Sequence, residues 1–81
     1  MGVDPKAIEV GNCYVTNMKQ VRRVTDITDD GKVHYDARGR KSSDPWGPGS
    51  TKANPPSIEK FADDVDRKVR CDYDADTGGP N

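Results

Sequence analysis

The stretch that decides the fold is "QVRRVTDITDDGKVHYDARGR", residues 20–40, in which two strand-like runs flank one turn. Its Asp-Asp-Gly segment fits a three-residue hairpin loop, because Gly31 accepts the left-handed backbone conformation that the third position requires. This loop predicts that Ile27 pairs with Val33. A β-hairpin at residues 20–40 is therefore the central element that the sequence predicts.

The same register sorts the side chains of the hairpin onto two faces, since successive strand residues point in opposite directions. It pairs Thr25 with Tyr35. The predicted apolar face carries Val21, Ile27, Val33, Tyr35 and Ala37, and the predicted solvent face carries Arg22, Asp26, Thr28, His34 and Asp36. Because Arg23 and Val24 break the alternation, a β-bulge or sharp bend is expected near Arg22 and Arg23.

Three further segments surround the hairpin. "NCYVT", 12–16, is rich in strand-forming residues, and "RKVRCDY", 67–73, alternates so that Val69, Cys71 and Tyr73 face inward. Between them, Ser57 is a good N-cap for a short helix with Ile58, Phe61, Ala62 and Val65 on its buried face. Residues 38–56 form a long segment rich in Gly and Pro, with a short strand expected near Trp46.

Size and charge limit the function classes. At 81 residues the chain forms one small domain, and its net charge of −1 with a pI near 5.7 argues against a protein that coats DNA. It contains neither an apolar run long enough to cross a membrane nor the apolar core of a signal peptide. A cytoplasmic, monomeric protein without membrane contact is the default expectation.

The chain resembles small bacterial and phage domains of unknown function that have a Src-homology-three-like or Tudor-like barrel. The resemblance covers residues 11–73 and is carried by "GNCY", "VRRV..I..DGKVHY", a lone "W.P" and "SIEKFADDV". It implies a mainly β fold, a small antiparallel barrel with one short helix before the last strand. Residues 1–10 are then a flexible N-terminal tail, and residues 74–81 a disordered C-terminal tail.

In barrels of this type the first and last strands come together, so the resemblance also implies that Cys13 and Cys71 lie near each other. In the expected cytoplasm both should be reduced thiols. Two isolated cysteines do not form a zinc motif, which needs four closely spaced ligands.

The primary functional hypothesis is a non-enzymatic accessory module that binds an unidentified protein or peptide. Trp46 lies among Pro and Gly residues in the 38–56 loop, and binding residues concentrate in loops. Trp and Arg are also enriched at contact hot spots. Trp46, Arg38 and Arg40 are therefore the predicted partner-binding residues, although a Trp here could instead only cover the core.

The alternative is a nucleic-acid-binding module that uses a basic edge of the hairpin. Phosphate contacts would come from Arg22, Arg23, Lys32, Arg40 and Lys41. Four aspartates are interleaved with the six basic residues of positions 20–41, which makes a solvated hairpin face the simpler interpretation.

Neither a catalytic nor a metal site is predicted, and no cofactor is expected. His34 and Asp36 share a strand face, but no recognisable nucleophile accompanies them. Asp72, Asp74 and Asp76 are spaced like the start of a calcium loop, but Thr77 occupies the position that requires glycine.

Overall fold

The computed structural model describes residues 2–49 and 55–79, and it is mainly β. A short 3-10 helix, Pro5–Ala7, precedes the sheet. The remaining elements in chain order are β1 Cys13–Thr16, β2 Val21–Ile27, β3 Val33–Arg38, β4 Gly47–Pro48, α1 Ile58–Asp64 and β5 Val65–Val69. Of the predicted 38–56 loop, residues 50–54 lie outside the described residues.

The central hairpin forms as predicted at its turn. Gly31 has a φ of 80°, Ile27 pairs with Val33, and the Thr28 amide donates to the Lys32 carbonyl over 2.9 Å. The tight turn therefore follows from the backbone freedom of glycine.

Farther from the turn, the predicted register is wrong by one residue. The β-bulge lies between Val24 and Asp26, so Val24, and not Thr25, pairs with Tyr35. The bulge was expected near Arg22 and Arg23. With the exposed Thr25 as the extra residue, Val24 faces α1, where burial of its side chain stabilises the fold.

The displaced bulge exchanges the faces of two residues. Val21 was predicted on the same face as Tyr35, but it packs with Cys13 and Val69 on the opposite face. Arg22 was predicted on the solvent face, but its guanidinium lies 4.8 Å from the Tyr35 ring centroid. A shift of one residue in a strand has this effect because neighbouring side chains alternate.

The five strands form one antiparallel sheet in the order β4-β3-β2-β1-β5, so the last strand lies beside the first, as the resemblance implied. Within the described residues β4 and β5 are the two edges and do not pair with each other. The sheet is therefore not closed there into the predicted barrel.

Each face of the sheet carries its own apolar cluster. The helix face is defined by Tyr14, Val24, Val33 and the α1 residue Phe61, and Tyr35 packs against this cluster. The opposite face, here called the Trp46 face, buries Cys13, Val15, Val21, Val69, Tyr73 and Ala75, with Trp46 packed against them. All four residues of β1 are buried because this strand lies between the two clusters.

The predicted helix is present and begins as expected. The Ser57 hydroxyl accepts from the Lys60 amide, and Phe61 and Ala62 are buried. Val65, which was predicted to continue the buried helical face, is instead the first residue of β5 and is buried there. The last strand thus spans 65–69 and not 67–73, and Cys71, predicted to face inward, is exposed in the turn that follows.

The two terminal segments differ from the predicted tails. At the N-terminus Ile8 is buried in the helix-face cluster, and the Tyr14 hydroxyl donates to the Ala7 carbonyl over 2.7 Å. At the C-terminus Tyr73 and Ala75 are buried, and the Asp74 amide donates to the Gly79 carbonyl. Residues 1, 80 and 81 lie outside the described residues. Across residues 2–49 and 55–79 no helix has the length and apolarity of a membrane span.

Candidate partner-binding site

Trp46 stands at the edge of the sheet, directly before β4. This two-residue strand pairs with β3 through Asp36–Pro48 and Ala37–Gly47, which confirms the short strand predicted near Trp46. The indole is half-buried and packs against the cluster of the Trp46 face. The sheet therefore fixes the backbone on one side of Trp46, while part of its ring stays open to solvent.

Two arginines from neighbouring strands hold the indole. The guanidinium carbon of Arg23, on β2, lies 4.4 Å from the ring centroid, and that of Arg38, on β3, lies 5.2 Å from it. A guanidinium at this distance from a ring is attracted by the negative face of the π-system. Arg23 is itself oriented by Asp36, whose Oδ2 lies 3.3 Å from its Nη2.

Arg38 is the most buried charged residue among the described positions, with 4% of its surface exposed. Its Nη1 donates to the carbonyls of Gly39 and Lys41, and its Nη2 donates to those of Cys71 and Tyr73. The Nε has no hydrogen-bond partner among the described residues. Burial lowers the pKa of Arg38, and the nearby carboxylates of Asp44, Asp74 and Asp72 oppose this shift.

Arg38 therefore joins three parts of the chain: β3, the loop after it, and the C-terminal segment. With its guanidinium directed at backbone carbonyls and stacked against Trp46, it has the contacts of a positioning residue. A direct contact between Arg38 and a partner, as predicted from the sequence, would require this buried group to be uncovered.

Arg40, by contrast, is exposed and lies in the loop that Arg38 fixes. Its Nη1 is 3.5 Å from Asp76 Oδ1, and its carbonyl accepts from the Ala75 amide over 2.7 Å. The side chain is more than half exposed, and such surface ion pairs contribute little to stability. Of the three predicted partner-binding residues, Trp46 and Arg40 thus present accessible side chains.

The residues predicted to form a basic edge do not line one surface. Arg22 lies on the helix face above Tyr35, whereas Arg23 lies on the Trp46 face and pairs with Asp36. Lys32 lies at the hairpin turn, where its backbone forms an isolated β-bridge with Ser57. Arg40 and Lys41 follow β3 at the other end of the hairpin. The positive charges are therefore divided between the two faces and the two ends of the hairpin.

The remaining candidate features are the His34–Asp36 pair, metal ligands and surface grooves. Asp36 is engaged by Arg23, and its neighbour His34 pairs with Asp26 across β2 and β3. Among the described residues, no three His, Cys, Asp or Glu side chains are placed to bind a metal ion. An open groove of about 400 Å³ lies between the β1–β2 turn and the end of α1, lined by Met18, Arg22 and Asp64 among others.

Two features of the site were missed by sequence reasoning. The first is the disulfide between Cys13 and Cys71, whose Cα atoms are 5.1 Å apart. The predicted proximity of the two cysteines is confirmed, but the prediction that both are reduced thiols is wrong for this structure. An even number of cysteines was the available signal. The second is the role of Arg38, for which the sequence carries no signal because its carbonyl partners come from distant segments.

Comparison of the chain with protein-family profiles, with curated proteins and with solved structures gave no significant match.

Proposed function

We propose that this chain is a non-enzymatic protein- or peptide-binding module in which Trp46 is the anchor for the partner. The observation that carries the proposal is the arrangement of Trp46: a half-buried indole beside an edge strand, held by Arg23 and Arg38. Because the indole is already fixed, this protein loses little conformational entropy when a partner covers the ring.

The surroundings of Trp46 fit this role. Large aromatic side chains contribute most to binding when they are well packed and when the contacts around them exclude water. Arg40 and Lys41 lie in the adjoining loop and are exposed, so they are available as a polar rim. Arg38 belongs to the support of this site, and Trp46 and Arg40 belong to its contact surface.

Two finer assignments are part of the same proposal. The first is a relation to the Src-homology-three-like domains of bacteria and phages. The pairing of the last strand with the first supports it, although the sheet is open in the described residues. A cytoplasmic location, expected from the sequence, is also part of the proposal. In that compartment disulfides are usually transient and redox-sensing, so the Cys13–Cys71 disulfide would be of this kind.

Selection from a random peptide-display library tests the proposal. Wild type should enrich a peptide consensus that Trp46→Ala does not retain. The matched control is Met18→Ala, since Met18 is a large apolar side chain that is 80% exposed in the β1–β2 turn and belongs to a different surface. Equal enrichment by wild type and Trp46→Ala, or no enrichment by either, would overturn the proposal.

A further inference from the structure

The C-terminal segment, residues 70–79, is held to the rest of the protein by one covalent bond and by hydrogen bonds to the loop after β3. It follows β5 and adds no strand to the sheet, and it buries only Tyr73 and Ala75. Ordering a residue costs conformational entropy, which the burial of side chains must offset. A segment with few buried side chains therefore depends on other constraints to stay ordered. The Cys13–Cys71 disulfide supplies such a constraint by tying the segment to β1.

The same segment completes the support of Trp46. The carbonyls of Cys71 and Tyr73 accept from Arg38 Nη2, and the Arg38 guanidinium lies against the Trp46 ring. A continuous set of contacts therefore runs from the disulfide, through Arg38, to the indole. If the segment leaves, the buried Arg38 loses two of its four acceptors, and an unsatisfied buried cation is unfavourable.

We infer that the Cys13–Cys71 disulfide is a redox latch that controls the order of the Trp46 site. This inference rests on the proposed function of Trp46 and assigns a regulation to that site. In the oxidised protein the latch holds residues 70–79 against Arg38, and Trp46 is preorganised for a partner. In the reduced protein the segment is released, while the sheet and α1 remain folded.

The reduction is an ordinary thiol–disulfide exchange with a dithiol reductant. One thiolate of the reductant attacks the sulfur of the exposed Cys71, and the buried Cys13 leaves as a thiolate and takes up a proton. The second thiol of the reductant then displaces Cys71 and closes its own disulfide. The protein gains two electrons and two protons, which the dithiol loses.

The first measurement compares oxidised and dithiol-reduced wild type, with free thiols counted in each. Trp46 is the only tryptophan, so acrylamide quenching reports its accessibility directly. We expect the quenching constant to rise at least about twofold on reduction. Cys71→Ser is the control and should show the reduced-state value with or without the dithiol.

The second measurement locates the change by amide hydrogen exchange. The Ala75 amide, which donates to the Arg40 carbonyl, should lose protection by about tenfold or more, whereas the Val24 amide, bonded to Asn12, should keep it. Unchanged quenching and unchanged Ala75 protection in a protein with two free thiols would overturn the inference. Equal loss at Val24 would also overturn it, because the whole domain would then unfold.

A third measurement tests whether the disulfide is reduced at the redox potential of the cytosol. The oxidised protein should be reduced in a glutathione buffer set to the poise of the cytosol, and a bond that resists this buffer would make the disulfide structural only. None of these measurements uses a partner. Their failure therefore leaves the peptide-binding proposal intact, and failure of the peptide selection leaves the latch testable.

Discussion

The guanidinium of Arg23 lies between two groups that fix it: its carbon is 4.4 Å from the Trp46 ring centroid, and its Nη2 is 3.3 Å from Asp36 Oδ2. All three residues lie on the same face, because Arg23 pairs with Asp36 across β2 and β3. The ion pair restricts the guanidinium, and the guanidinium in turn restricts the indole. The orientation of Trp46 thus depends on two neighbouring strands.

Arg23→Ala should loosen Trp46 without unfolding the domain. A cation–π contact at a partly exposed position contributes about 0.5–1 kcal/mol, so we expect a loss of that size in the free energy of unfolding and a higher acrylamide quenching constant. Arg70→Ala is the control, since Arg70 also pairs with an aspartate, Asp72, but does not stack on Trp46. The account of the stacked ring fails if the two variants give the same quenching.

Phe61→Ala should remove the main contact between α1 and the sheet. The Phe61 ring is fully buried and lies 5.8 Å from the Tyr14 ring centroid and 5.1 Å from that of Tyr35. Truncation of a buried Phe costs about 3–5 kcal/mol, which is a large share of the stability of a small domain. Chemical denaturation should show this loss, whereas Glu59→Ala, on the exposed side of α1, should change stability by less than about 0.5 kcal/mol.

Gly31→Val should destabilise the hairpin through its backbone alone. Gly31 has a φ of 80°, and a Cβ built on it meets no atom within 4 Å, so no steric clash contributes. The left-handed conformation costs a β-branched residue about 1 kcal/mol or more. Gly47→Ala is the matched control, because its Cβ is equally free and its φ is not positive. Equal melting temperatures for the two variants would contradict this explanation of the turn.

Local rules predict the elements whose cause is local. Gly31 and the Ser57 cap act over a few residues, and both are found where the sequence places them. The helix spacing likewise identifies Phe61 as buried. The position of the β-bulge is different, because several positions in β2 would each restore an alternating pattern, and the choice depends on how Val24 meets α1.

The candidate site was only partly predictable for the same reason. Trp46 is identified by its neighbours in the chain, but its support is assembled from β2, β3 and the segment after β5. A buried Arg38 contradicts the usual exposure of arginine and is understood only when its four carbonyl acceptors are seen. Ile8 was similarly missed, since the apolar residues of positions 1–10 follow neither a helix nor a strand periodicity.

Acid should weaken the C-terminal segment through Asp74. Desolvation would raise the pKa of Asp74, but its bonds from the amides of Thr77, Asp76 and Ser42 lower it below the ordinary value of 3.8. A carboxylate with a lowered pKa in the folded state adds stability that is complete above the unfolded-state pKa and is lost as the pH falls through the folded-state pKa.

We therefore expect protection of the Thr77 amide to decrease below pH 3.8 in wild type and to change less in Asp74→Asn. The asparagine oxygen can accept the bonds that Asp74 Oδ1 receives from the amides of Asp76 and Thr77, and it does not titrate. Asp66→Asn, an exposed aspartate of β5, is the control and should behave as wild type. Identical acid profiles for wild type and Asp74→Asn would show that this carboxylate does not hold the segment.

The central claim, that a partner binds the protein through Trp46, is tested most directly by the affinity of a labelled, library-selected peptide, measured by fluorescence anisotropy. At roughly 150 mM salt we expect Trp46→Ala to bind at least about tenfold more weakly than wild type, a loss of about 1.4 kcal/mol. Arg22→Glu, on the helix face, should bind as wild type does. Undiminished binding by Trp46→Ala would contradict the account, and sub-micromolar oligonucleotide binding abolished by Arg22→Glu/Arg23→Glu would favour the nucleic-acid alternative in its place.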